Sequence, residues 1–164
     1  VAEIKPTRIS VEMKPPLAVV KARFDDRIKA LTDFSVPHKK MAIFLDQWVQ
    51  RNFRTQGGKV GGWKPLAAGG RWKESSSGKR IFDANAKILQ DTARLKFSFI
   101  PWASKKSTGI GSDVPYSEQH EKGLNGLPVR RMLPTQTEVN GDLNEIMADH
   151  VLGVIRASRG MFRV

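Results

Sequence analysis

Cysteine is absent from this sequence. That excludes disulfides, zinc–thiolate sites and cysteine nucleophiles, and it agrees with assembly in a reducing cytoplasm. No run of about 18 apolar residues occurs, so no membrane-spanning helix is expected. The opening residues, VAEIKPTRIS, lack the apolar core of a signal peptide, and secretion is not expected either.

The motifs of catalysis are equally scarce. Gly78-Lys79 is followed by Arg80, where a phosphate-binding loop needs Ser or Thr, and the upstream glycine is misplaced. Gly109-Ile110-Gly111 has Val114 where a dinucleotide turn has its third glycine. His120-Glu121 is followed at 124 by Leu, so it is not a zinc-helix pair. His38, His120 and His150 lie in separate elements, without ligand spacing. Asp25 and Asp26 are adjacent and diverge on a helix. Glu12-Met13-Lys14 lacks an acidic partner, and no Gly-x-Ser-x-Gly elbow occurs. The sequence therefore predicts no enzyme, no metal and no cofactor.

Acidic residues are few and unevenly placed. Residues 1–56 carry 11 basic and 6 acidic groups, residues 57–110 carry 11 and 3, and residues 111–164 carry 6 and 7. The middle third thus holds most of a net charge of +12. Such a field favours nucleic acid or an acidic protein surface without choosing between them.

A chain of 164 residues predicts one domain with a real core. Residues 8–13 alternate as a short strand. Leu17, Val20, Phe24, Ile28 and Leu31 recur at helical spacing, predicting a helix over 17–32. Ser35 is a candidate cap for a second helix, with Pro37 in its first turn and Met41, Phe44, Leu45, Trp48, Val49 and Phe53 on its apolar face. The two helices should form a hairpin. Residues 95–103 and 107–111 read as strands. Residues 81–92 are ambiguous between a helix and a turn. A short helical turn covers 115–122, and residues 124–134 read as extended. A last helix carries Leu143, Ile146, Met147, His150 or Val151, Val154 and Ile155, with Asn140 or Asp142 as its cap. The expected class is α+β: an N-terminal helical hairpin and a C-terminal helix on a small antiparallel sheet. Residues 56–80 show no period and are expected to be a long, flexible, glycine-rich basic loop.

Within that loop, FRTQGGKVGGWKPL places four glycines before Trp63. Trp63 is either an interface anchor or part of its own core, and the glycines favour the anchor. Trp48, on the helix stripe, belongs to the core, whereas Trp72, between Arg71 and Lys73, is the better exposed contact. Lys59, Lys64, Arg71, Lys73, Lys79 and Arg80 suit an acidic protein partner first and duplex DNA second; the plainer reading is a solvated loop. Arg130 and Arg131 could fork onto carboxylates of a neighbour. Tyr116 and His120, four apart, brace the fold.

The order of the segments NFRTQGGKVGGWKPL, KILQDTARLKFSF, VPYSEQHEKG and LPVRRML resembles the phage virion morphogenesis family, the tail-completion proteins of tailed bacteriophages. Phe53, Trp63, Pro65 and Leu66 match its first motif, and Ile88, Leu89, Thr92, Leu95 and Ser98 its second. Tyr116, His120 and Gly123 match the third, and Pro128 and Arg130 the fourth. Ala93 stands where that family has glycine, at the cost of a positive φ, and Ser117 replaces an alanine. The resemblance implies a non-enzymatic virion protein, made in the host cytoplasm and placed at the tail or neck. It further implies a ring, a hexamer by the tail's six-fold symmetry, between the tail tube and the head–tail connector, with duplex DNA in the channel. The candidate interface then comprises Trp63, Lys64, Arg71, Trp72, Lys73, Lys79, Arg80, Arg130 and Arg131. A basic nucleic-acid-binding module, and an assembly chaperone absent from the mature particle, are the alternatives.

Overall fold

A computed structural model describes residues 16–159; the strand expected over 8–13 lies outside them. The class is α+β. Helix α1 (Leu17–Thr32) bends through Asp33-Phe34 into α2 (Ser35–Arg54). A short hairpin follows, β1 (Arg71–Glu74) against β2 (Arg80–Asp83). After a helical turn, α3 (Arg94–Phe97), comes a second hairpin, β3 (Phe99–Ala103) against β4 (Thr108–Ser112). Helix α4 (Tyr116–Lys122) and the long α5 (Gln136–Arg159) complete the order.

Helix α2 is the axis of the molecule. Its stripe at helical spacing buries Met41, Leu45, Trp48, Val49 and Phe53, as the periodicity predicts. The β3–β4 sheet lies along one side of it and α5 along another. Leu95, Phe99, Val114, Met132 and Val139 close the same core from five different segments. The cap of α2 differs from expectation. Ser35 is its first helical residue, and the Asp33 carboxylate accepts the Ser35 N–H at 3.0 Å. An acidic side chain two residues upstream thus satisfies the Ser35 N–H, whereas a serine cap would have accepted from an N–H two or three residues further on.

Helices α1 and α2 form a bent pair, and the helix that α1 packs against is α5. His150 Nε2 approaches the Ala30 carbonyl at 3.4 Å, and Phe34 meets the His150 ring edge-on. No residue of α1 is buried, and Leu17, Phe24 and Ile28 are exposed.

Residues 95–103 are not one strand. Ala93 takes φ +56°, the left-handed region predicted to be costly there, and Arg94–Phe97 then coils into a single turn. Alternation in the sequence survives as burial of Leu95 and Phe99 with Phe97 outside, but the first half is helical. Ser98 Oγ donates to the Leu95 carbonyl and secures the junction. Residues 81–92 begin as strand β2 and continue as turns, without a helix. Residues 124–126 form a 3-10 turn before the extended run to Pro134. Helix α5 starts earlier than Asn140. Thr135 is its cap, and Glu138 accepts from Thr135 N at 2.8 Å and from Thr135 Oγ1 at 3.0 Å.

Candidate functional site

The segment 56–80 is built, not loose. Gln56 and Gly57 both have positive φ, and the chain reverses there into a 3-10 turn, Gly58–Val60. Gly57 N donates to the Asn52 carbonyl and Trp63 N to the Gln56 carbonyl, so the glycine-rich stretch is pinned to the end of α2. Gln56 also reaches across the fold, its Oε1 accepting the Ile88 N–H at 2.6 Å. Trp63 then folds inward. It is 6% exposed, meets Phe53 edge-on at 5.1 Å, and donates from Nε1 to the Arg131 carbonyl at 2.9 Å. The glycines serve this closure: a Cβ at Gly57 would sit 2.6 Å from the Trp63 backbone nitrogen. The expectation of Trp63 as an interface anchor is therefore corrected. An indole buried against its own core has no face left for a partner.

The arginines are corrected too. Arg131 does fork onto a carboxylate, but onto its own chain: both guanidinium nitrogens reach Glu138 at 2.6 Å. That pair, with the Thr135 hydrogen bonds, holds the Glu138 pKa down at about 2. Arg130 is 7% exposed. Its Nε donates to the Lys64 carbonyl at 3.2 Å and its Nη2 to the Pro65 carbonyl at 3.4 Å, tying the fourth motif to the first. Glu121, passed over as a site residue once the zinc pair was rejected, accepts the N–H groups of Met132 and Leu133, and burial pushes its pKa up. Asn52, also passed over, is fully buried and donates to the Arg131 and Met132 carbonyls. Spacing gives no signal for either; only a polar residue on an otherwise apolar helix face marks Asn52.

What remains outside is the β1–β2 hairpin. No third strand pairs with it among the described residues. Its base is held by Arg71, whose Nη1 pairs with Asp91 at 2.7 Å. Lys73 pairs with Asp83 at 3.1 Å. Trp72 is 55% exposed, tilted against Phe82 and covered by the Arg80 guanidinium 5.4 Å above its ring. Lys64, Lys79 and Arg80 are exposed. Of the nine candidate residues, these three, Trp72 and Lys73 present an exposed basic and aromatic surface. Arg71 is half-buried at the foot of the hairpin, whereas Trp63, Arg130 and Arg131 brace the fold.

Beside that base lies a cleft of about 270 Å³. Leu66, Thr92, Leu95, Tyr116, His120 and Arg130 line it, so all four sequence motifs converge on one place. Arg71 and Arg94 add charge at its walls, and its one acid, Asp91, is engaged by Arg71. Tyr116 stands edge-on to His120 at 6.3 Å. Burial, followed by the positive charge of Arg130, lowers the His120 pKa. Its Nδ1 is buried with no partner among the described residues. No group of three or more His, Asp or Glu suited to a metal occurs among the described residues. No described helix is long and apolar enough to cross a membrane. Compared with protein-family models, curated proteins and solved structures, the chain matches none.

Proposed function

We propose that this chain is a structural virion protein of a tailed bacteriophage that completes the tail or joins it to the head, working as a ring at the neck. The observation that carries the reading is the convergence of four short motifs, ordered as in the virion morphogenesis family, on one braced core and one cleft. Trp63 and Arg130 come from the first and fourth motifs, 67 positions apart, and both are tied to the backbone of the other's segment. An ordered motif set whose members meet in one core is what a conserved fold would leave in the sequence.

The remaining surface suits assembly. A ring built from head-to-tail contacts needs two different complementary faces on each subunit. The basic, aromatic hairpin supplies one, with Trp72 as its largest apolar surface. The partners are neighbouring copies, the tail tube and the head-side connector, and the ring follows six-fold symmetry. Electron microscopy of particles assembled without the protein tests the proposal. Finished heads and tails that stay apart are expected; normal joining would overturn it.

Nucleic-acid binding is a second reading, favoured by Lys79, Arg80 and the net charge of +12. Backbone binding weakens steeply as salt rises. Tight, salt-sensitive binding of short duplexes by a protein that forms no ring would favour this reading over the first.

A further inference from the structure

Arg130 is a charged group that the fold has buried and has not paired. The two backbone carbonyls that it meets use two of its five N–H bonds, and no carboxylate of the described chain reaches it. Burial pulls its pKa down, the direction expected of a cation without a counter-ion. Buried charges in proteins are normally paired, because an uncompensated one is costly. Here the guanidinium lines an open cleft, next to the orphaned Nδ1 of His120 and the exposed Arg94. Leu66, Leu89 and Leu95 make part of the wall apolar. Donors on one side and methyl groups on another fit a carboxylate on a short aliphatic stem.

The same chain carries such groups. Asp142, Glu145 and Asp149 are exposed on α5 at i, i+3 and i+7, one face of the helix. Among the described residues none of the three has an ion pair, whereas Glu138, on the same face, is consumed by Arg131. Like charges so spaced repel one another and gain from an outside cation.

We propose that the Arg130 cleft receives carboxylates from the Asp142–Glu145–Asp149 face of a second copy, making one head-to-tail contact of the ring. The inference rests on the ring reading above and deepens it. It adds the basic cleft at the foot of the hairpin to the first face and assigns the acidic side of α5 as the second, unlike surface that a closing ring requires. A carboxylate seated in the cleft is shielded from water, so its pairing is worth more than that of an exposed surface pair.

A charge swap tests it without touching Arg130, which braces the fold. Arg94→Glu reverses the rim of the cleft, and Glu145→Arg with Asp149→Arg reverses the helix face; all three side chains are exposed. Light scattering at low salt reads the assembly state, and wild-type-like melting confirms that each variant is folded. Wild type should form closed rings, and each variant alone should associate at least tenfold more weakly. An equimolar mixture should restore rings, because the reversed cleft then meets the reversed helix. Wild-type rings with unaffected variants would overturn this contact and leave the ring standing. Failure of the mixture to recover would overturn the contact as well. A wild-type protein that stays monomeric at all concentrations would overturn both the contact and the ring.

Discussion

Trp63 and Trp72 sit nine residues apart in the same basic, glycine-rich stretch, and the fold uses them in opposite ways. Trp63 is sealed under the end of α2, with its ring on Phe53 and its N–H on a backbone carbonyl. Trp72 stands on a hairpin that no other strand supports, half in solvent beneath Arg80. The difference teaches that glycine before an aromatic residue is not evidence of looseness. At Gly57 the missing side chain lets the backbone turn tightly enough to bring Trp63 home. The hairpin beyond Gly70 contributes no residue to that core.

The first way to break the contrast is to remove Trp63. Trp63→Ala deletes a buried indole and leaves the Arg131 carbonyl without its donor, so a loss of about 3–5 kcal/mol is expected. Urea denaturation measures it. A loss under about 1 kcal/mol would mean that the buried indole contributes no more than the exposed one.

Gly57 offers the next largest effect. Gly57 has φ +86° and Trp63 against it, so Gly57→Ala should cost at least about 2 kcal/mol from strain and overlap together. Gly61 is the internal control, since it has φ +87° but open space around it. Gly61→Ala should cost only about 1 kcal/mol, the left-handed penalty alone. Equal losses at the two positions would show that close packing on Trp63 is not what Gly57 provides.

These positions also show what was legible beforehand. The α2 stripe and the short helix ending at Gly123 follow from periodicity and a left-handed cap. The β1–β2 sheet did not: RWKE and RIFD are four-residue strands exposed over most of their length, so no alternation marks them. The inward fate of Trp63 depends on Arg131, 68 residues away, and no local pattern carries that. The start of α5 was legible and missed, because Thr135-Gln136-Thr137-Glu138 is a capping box lying ahead of the apolar stripe. The cleft needed the fold, since its residues come from four segments.

Below the tryptophan and glycine in size comes the Arg131–Glu138 pair, which locks the segment behind Trp63 to α5. Glu138→Gln should cost about 1–2 kcal/mol at neutral pH, a figure kept modest because the pair is partly exposed. The sign with pH follows from the depressed carboxyl. Its pKa falls from 4.5 to about 2 in the folded state, so the stabilisation is complete above pH 4.5 and fades as pH drops toward 2. Denaturation of both proteins across that window should show the gap between wild type and Glu138→Gln closing as pH falls. A gap of constant size would assign the loss to packing instead of charge.

The smallest effect on folding should come from Trp72. Trp72→Ala removes an exposed ring, its contact with Phe82 and a cation–π contact with Arg80, together worth under about 1 kcal/mol of stability. If the hairpin is an assembly surface, this change should nevertheless weaken association far more than Trp63→Ala weakens it in the fraction still folded. Thermal melting and light scattering on the same samples read the two quantities separately. A Trp72→Ala protein that melts and assembles like wild type would leave the hairpin as a solvated loop. One that melts several kilocalories lower would show that Trp72 belongs to the core after all.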